Sequence, residues 1–259
     1  MSITICTLSS GSSGNCIFVS SGNTHLLIDA GISMKATEKH LQTLGRSLCD
    51  INAVFVTHEH SDHIKGLEMI SKHHHIPIYA PSGCIAHLPA SIESELVRQT
   101  SNQGCKITVG DIEITSFPTP HDSAASVGYT FEIEGRKFGI ATDMGIPTKN
   151  VAEALLGCES VIIEANYEKK MLENGPYPYF LKQRVASSRG HLENNDSARM
   201  IAYLAIEGKT KSFMLAHLSD KNNTPSKAVE TVSRYLESKS IGVKLLVAQR
   251  YSPSLLVSE

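Results

Sequence analysis

The most informative segment of the sequence is Val54-Phe-Val-Thr-His58-Glu-His60-Ser-Asp62-His63, in which an apolar strand runs directly into the pattern H-x-H-x-D-H. Side chains two positions apart on an extended backbone point the same way, so His58 and His60 can bind one metal ion. Asp62 and His63 begin the next helix and face a second metal beside the first. Imidazole and carboxylate ligands suit zinc, manganese or iron, and not calcium or magnesium alone. The segment therefore predicts a binuclear metal centre.

Further residues of metal-binding type stand at the ends of predicted apolar strands. His121, Asp143 and His217 follow, respectively, the strands Ile112–Pro118, Lys137–Thr142 and Ser212–Ala216. A metal site at the rim of a sheet requires ligands at such positions. The carboxylate of Asp143 can bridge two metals.

The composition is that of a globular protein. The 259 residues are 41% hydrophobic and 19% charged, which excludes fibrous, disordered and disulfide-scaffold classes. No apolar run is long enough for a membrane span, and the N-terminus does not read as a secretory signal. Without any C-x-x-C pair, the cysteines predict buried thiols in a reducing cytosol; they are Cys6, Cys16, Cys49, Cys84, Cys105 and Cys158. The net charge of −2 provides no global attraction to nucleic acid or to an anionic membrane.

Strands and helices alternate along the chain without a linker, which predicts one domain over residues 1–259. The other predicted strands are Ser2–Leu8, Cys16–Ser20, His25–Asp29, Ala53–Thr57, Ile76–Ala80, Val127–Ile133, Val161–Ala165 and Val243–Val247. Phe131–Ile140 predicts a hairpin that turns near Gly135. The predicted helices are Ser33–Leu44 closed by Gly45, His63–Lys72, Asp196–Ala205, and Ser226–Ser238 capped by Thr224. This order predicts two sheets packed face to face with helices outside.

In their order, the motif at residues 58–63 and the residues His121, Asp143 and His217 resemble the metallo-β-lactamase superfamily of binuclear hydrolases. Asp29, in Leu26-Leu-Ile-Asp-Ala-Gly31, matches that superfamily's first motif. The resemblance implies an α/β fold, the four-layer αβ/βα sandwich, with the metals at one edge. It implies two divalent metal ions, one held by His58, His60 and His121, the other by Asp62, His63 and His217, and both bridged by Asp143. It also implies that Asp29 supports a ligand histidine without binding metal and that Asp62 is catalytic.

Three segments point to one branch within the superfamily. Leu8–Asn15, Gly190–Asn195 and Ala216–Pro225 are similar to the YycJ (WalJ) branch of bacterial cytoplasmic metal-dependent nucleases, which is related to the phosphodiesterase PhnP. Glu193 stands where that branch is expected to have Ser. The resemblance implies a nuclease that acts on DNA as a 5′–3′ exonuclease in the cytoplasm.

The predicted chemistry is phosphodiester hydrolysis. Two adjacent cations lower the pKa of a shared water and stabilise charge on the attacking and leaving oxygens. The commonest β-lactamases of this superfamily carry a metal-binding Cys where this chain has Asp143, which argues against a β-lactam substrate. His191 is predicted to protonate the leaving oxygen or to hold a phosphate. Alternatively, His191 is a loop histidine bonded to the backbone.

The segment Tyr167–His191 carries five Lys or Arg residues against two Glu, a net charge of +3 that leaves −5 for the rest. Cations beside aromatic rings suit the end of a single nucleic-acid strand. The predicted substrate contacts here are Tyr177, Lys182, Arg184 and Arg189. Alternatively, the segment is a solvated loop. Ser12, Ser13 and Asn15 either line the pocket or form a tight turn.

Two other functions remain open at this point. The same site could act on a small phosphodiester, a thioester or a lactone, and the overall negative charge favours this alternative. The chain could also be a non-catalytic, metal-stabilised partner in a signalling system. DNA is the expected partner, no membrane is expected, and no protein partner can be named from the sequence.

Overall fold

Two seven-stranded sheets form the centre of the molecule. The computed structural model describes residues 2–100, 104 and 106–258. The first sheet has the order β14-β1-β2-β3-β4-β5-β6, with β1 (Ile3–Ser9), β2 (Cys16–Ser21), β3 (Thr24–Ile28), β4 (Ala53–Phe55), β5 (Ile78–Pro81), β6 (Val97–Thr100) and β14 (Ser254–Ser258). The second has the order β13-β12-β11-β10-β9-β8-β7, with β7 (Lys106–Val109), β8 (Ile112–Pro118), β9 (Val127–Ile133), β10 (Arg136–Ala141), β11 (Ser160–Glu164), β12 (Ser212–Ala216) and β13 (Lys244–Val247).

Helices cover the outer faces of both sheets. The α-helices of the described residues are α1 (Met34–Gln42), α2 (Ser61–Ile64), α3 (Leu67–His74), α4 (Ser82–Ile85), α5 (Lys149–Leu155), α6 (Lys169–Asn174), α7 (Tyr179–Val185), α8 (Asn194–Glu207) and α9 (Pro225–Ser238). α1 and α3 pack on the first sheet, and α5, α8 and α9 pack on the second. The predicted four-layer αβ/βα sandwich is confirmed.

The central strands are apolar on both sides because both of their faces are buried. In β11, Ile162 joins the core between the sheets, whereas Val161 and Ile163 contact the helical layer outside. Aromatic rings fill the middle of the inter-sheet core. Phe55 stacks on Tyr79 with ring centroids 4.6 Å apart and meets the edge of Tyr129 at 5.6 Å.

Parallel pairing determines where the loops of the site lie. Strands β3 to β6 run parallel in the first sheet, and β10 to β13 run parallel in the second. The carboxyl ends of parallel strands share one edge of a sheet, and side chains in the loops after them can converge there.

Several local predictions are confirmed. Gly135 turns the β9–β10 hairpin with a φ of 75°. Ser33 caps α1 and Thr224 caps α9, each accepting a backbone N–H with its side chain.

Other local predictions are wrong. The single helix predicted over His63–Lys72 is two helices, α2 and α3, divided at Gly66. The Gly66 N–H donates to Ala30 O at 2.7 Å, and a Cβ at Gly66 would lie 2.0 Å from Ile32 O. The chain therefore packs too closely here for one regular helix. Cys49 is exposed, whereas the other cysteines that the structure describes are buried; Cys105 lies outside the described residues.

Candidate metal centre

The 58–63 segment lies in the loop after β4 and in the short helix α2. His60 precedes α2, which contains Asp62 and His63. The loop 11–15 and the loop after β3 press against this helix. The Asn15 N–H donates to Asp62 O at 2.7 Å, and a Cβ at Gly31 would lie 1.7 Å from the same oxygen. Gly31 thus lets α2 approach the edge of the sheet.

Three acidic or imidazole side chains stand on left-handed backbone one or two residues after strands. Asp29 follows β3 with φ 63°, Asp143 follows soon after β10 with φ 57°, and His217 follows β12 with φ 56°. This conformation costs a non-glycine residue about 1–2 kcal/mol and is concentrated at functional sites. Asp143 and His217 belong to the groups of possible metal ligands, whereas Asp29 bonds to His63.

His58, His60 and His121 converge on one point. The distance from His60 Nδ1 is 3.1 Å to His58 Nε2 and 3.2 Å to His121 Nε2. Nitrogen ligands at about 2.0–2.1 Å from a tetrahedral zinc ion are about 3.3 Å apart. The spacing of the three rings therefore fits a single divalent ion.

Asp62, His63 and His217 converge beside the first group. Asp62 Oδ2 lies 3.4 Å from His217 Nε2 and 3.7 Å from His63 Nε2. These donor atoms form a second cluster with metal-ligand spacing.

Asp143 lies between the two clusters. Its Oδ2 is 3.4 Å from His63 Nε2, and its Oδ1 is 3.8 Å from His121 Nε2 and 3.3 Å from His217 Nδ1. Among the described residues, none donates a hydrogen bond to the buried Oδ2. A buried, unpaired carboxylate oxygen is costly unless a cation compensates it. The donor set and this oxygen together fit a divalent metal site.

Asp29 contacts a predicted ligand on the side away from the clusters. His63 Nδ1 donates to Asp29 Oδ2 at 2.7 Å, while the backbone N–H and hydroxyl of Thr57 donate to the same carboxylate. With its proton on Nδ1, the His63 ring presents Nε2 to Asp62 and Asp143. Asn15 Nδ2 lies 3.1 Å from that nitrogen.

Burial and neighbouring charges shift the pKa values of the site. Burial lowers the pKa of His58 well below its ordinary value, and the nearby His63 adds to this effect. Burial also opposes protonation of His63, but the carboxylates of Asp143 and Asp29 outweigh it and raise its pKa to about 9. Burial favours the neutral form of Asp143, yet His217 and His63 hold its pKa well below the ordinary range. Asp143 is therefore ionised, the form that binds a metal.

Glu164, which the sequence did not single out, hydrogen-bonds two histidines of the site. The buried Glu164 accepts hydrogen bonds from His191 Nδ1 at 2.7 Å, from His217 Nδ1 at 3.0 Å and from the Met144 N–H at 2.8 Å. Glu164 is the last residue of the apolar strand β11. The strand-end signal that identified Asp143 and His217 could have identified it too.

A cavity of about 360 Å³ opens over the two clusters. His191 lines it, as do Ser12, Tyr177 and Arg184 of the predicted substrate contacts. Asn15 lies beneath and bonds to Asp62 Oδ2 at 3.3 Å.

Other predicted substrate contacts lie outside the cavity lining. Ser13 is exposed, Lys182 donates to Glu173 O at 2.8 Å, and Arg189 donates to His121 O at 2.8 and 3.0 Å. Arg184 pairs with Asp122. Lys182 and Arg184 lie in α7, and Arg189 lies in the turn after it, so the alternative of a solvated loop is wrong for most of the segment.

Known proteins share this fold and much of this sequence. The model of the Beta-lactamase superfamily domain matches residues 24–218. The chain belongs to this superfamily. It is 37% identical to Exodeoxyribonuclease YycJ of Bacillus anthracis, over 91% of this chain and 90% of that protein. The metallo-beta-lactamase fold protein YhfI from Bacillus subtilis superimposes with a TM-score of 0.74 at 16% identity, covering 98% of this chain and 99% of that one. A diphosphatase from the PhnP family gives a TM-score of 0.67 at 17% identity, covering 100% and 99%.

The predicted resemblance to the beta-lactamase superfamily and its YycJ branch is thus confirmed. The chain is a metal-dependent hydrolase of ester bonds, and its His/Asp clusters fit a divalent metal. Glu193, the departure from the branch pattern, precedes α8 and accepts from Asn195 Nδ2 at 2.7 Å. None of the helices in the described part of the chain has the length and apolarity that crossing a bilayer requires.

Proposed function

We propose that this superfamily member is a binuclear phosphodiesterase that degrades DNA from an end, as a 5′–3′ exonuclease. The observation that carries the proposal is the pair of ligand clusters joined by Asp143 beneath one cavity. The exodeoxyribonuclease name of the relative that is 37% identical supports DNA as the substrate. From the branch resemblance we also infer a single domain and a cytoplasmic location.

The ligand assignment follows the two clusters. His58, His60 and His121 would hold one ion, and Asp62, His63 and His217 the other. Asp143 would contact both. Zinc, manganese and iron all accept this set. When bound, the ions lower the pKa of water and offset negative charge on the phosphoryl oxygens.

His191 is proposed to be the proton donor. Its Nδ1–H bond to the buried Glu164 orients the ring at the wall of the cavity. This leaves Nε2 as the nitrogen that exchanges a proton with the leaving oxygen of the substrate. Glu164 holds His191 and His217 through the same oxygen, so it fixes the proton donor relative to a metal ligand.

One observation favours the second candidate, a small phosphodiester, thioester or lactone. Arg184 is the one Lys or Arg among the described residues lining the cavity, and Asp122 already pairs with it. A small substrate would need fewer cations than a nucleic acid. Rapid turnover of small esters with no DNA degradation would favour this function.

The test is hydrolysis of end-labelled single- and double-stranded DNA with Mn²⁺ or Zn²⁺, with and without chelator, beside bis(p-nitrophenyl) phosphate. We expect metal-dependent shortening of DNA from the 5′ end. The His60→Ala variant should lose it, whereas His87→Ala, which changes an exposed histidine outside both clusters, should retain it. Cleavage of the small diester alone would refute the DNA substrate, and activity in His60→Ala would refute the metal site.

A further inference from the structure

Helix α7 separates the cavity from a second depression on the surface. On one side of the helix, Leu181 and Val185 line the cavity over the metal clusters. On the other side, Tyr179 and Lys182 line a shallow groove of about 580 Å³. A long ligand that leaves the cavity across this helix therefore reaches the groove.

Two adjacent aromatic side chains stand exposed at the start of α7. Tyr179 is 76% exposed and Phe180 is 73% exposed. Phe180 lies one helical turn before Arg184, which lines the cavity. Its position on the helix is thus between the cavity side and the groove side. Neither ring belongs to the small apolar cluster that anchors α6 and α7.

Uncompensated positive charge surrounds these rings in the sequence. Among the described residues, no carboxylate forms an ion pair with Lys169, Lys170, Lys182 or Arg189. Lys182 and Arg189 donate to backbone carbonyls, which are neutral. When Asp122 is counted with its partner Arg184, the region keeps a net charge of +2 against −4 for the rest of the chain, which favours a polyanion on this side of the molecule.

We propose that Tyr179 and Phe180 form a stacking platform for unpaired bases of a single nucleic-acid strand whose end enters the cavity. A single nucleic-acid strand matches both the exposed rings and the positive charge of this surface. Its bases stack on aromatic side chains, and its phosphates are offset by the cations. Duplex bases are already paired and stacked, so the platform selects single strands. The inference rests on the proposed function, because it places the strand's end over the metal clusters.

The test measures binding of a fluorescein-labelled decathymidylate by anisotropy, in EDTA so that no hydrolysis occurs. The Tyr179→Ala, Phe180→Ala double variant should bind at least about 5- to 150-fold more weakly than wild type, which is the usual effect of removing one stacking ring. Phe180→Tyr keeps the ring and should bind like wild type. Tyr203→Ala removes a partly exposed tyrosine on α8, in a separate depression, and should bind like wild type. Thermal melting of each variant checks folding.

The outcomes separate the two proposals. Weaker binding by the folded double variant, with Phe180→Tyr and Tyr203→Ala unchanged, supports the platform. Unchanged binding by the double variant, or an equal loss for blunt duplex, overturns it. If wild type binds the single strand through these rings but degrades no DNA when metal is supplied, the nuclease proposal fails and the platform stands. If wild type does not bind the single strand, the platform is overturned.

Discussion

Replacing Asp29 by Asn tests whether this carboxylate controls the metal-binding nitrogen of His63. Asn tolerates the left-handed backbone almost as well as Asp, so the turn after β3 should keep its shape. The Thr57 N–H bonds to Asp29 Oδ1 at 2.7 Å, which fixes the amide oxygen of Asn at that position. The amide N–H₂ then faces His63 Nδ1 where the carboxylate oxygen was.

Two donors cannot face each other, so the ring proton of His63 should move to Nε2. That nitrogen lies 3.4 Å from Asp143 Oδ2, and His63 belongs to the cluster with Asp62 and His217. Substitutions of such supporting partners weaken metal binding by about 10- to 100-fold, or about 1.4–2.7 kcal/mol. Because Asp29 is 2% exposed, the lost charge-assisted bond should also lower the free energy of unfolding by about 1.5–3 kcal/mol.

The assay is competition for Zn²⁺ with a chromophoric chelator, followed by hydrolysis of bis(p-nitrophenyl) phosphate at increasing metal concentration. We expect weaker Zn²⁺ binding and activity that excess metal restores in part. Asp111→Asn makes the same chemical change in a carboxylate that accepts from Ser21 Oγ at 2.6 Å, outside the clusters, and should leave metal affinity unaltered. Wild-type metal affinity in Asp29→Asn would refute the tautomer argument.

Three further predictions concern the site and the fold. Glu164→Gln should lower kcat by about 10- to 100-fold, because its one amide oxygen cannot replace both Oε1, which accepts from the two histidines, and Oε2, which accepts from the Met144 N–H; an unchanged kcat would contradict this role. Gly31→Ala should lower the free energy of unfolding by at least about 1–3 kcal/mol in urea, because its Cβ would meet Asp62 O. Gly242→Ala, with no atom within 4 Å of its Cβ, is the matched control. Thr224→Ala should cost about 1 kcal/mol in the same measurement, since α9 loses its N-cap; equal stability would show that the cap is dispensable.

Site residues that stand at the ends of apolar strands were the predictable part of the site. Asp143 and His217 each follow an apolar strand, and the structure brings both to the clusters. Glu164 obeys the same rule as the last residue of β11, but a glutamate does not stand out as a metal-site residue without a known neighbour. Its role depends on His191, which is distant in sequence and joins it only through the packing of the 190–193 segment against β11.

The binding partners of the cations near the cavity could not be predicted from the sequence. Their number and sign in Tyr167–His191 are plain in the sequence, whereas their partners are not. Arg184 pairs with Asp122 and Arg189 bonds to His121 O, because the loop after β8 lies against α7 and the residues that follow it. Through these contacts, the two arginines hold the loop after β8 in place.

The type of chemistry and the layered fold follow from local features of the sequence. The H-x-H-x-D-H motif follows a strand, so its side chains are adjacent whatever the rest of the chain does, and local periodicity marks the buried strands. How the clusters meet depends on the tertiary structure, because Asp143 follows β10 of the second sheet and His63 lies in α2, after β4 of the first. Contacts of this kind depend on packing two separate sheets face to face, and no local pattern of residues encodes that distance.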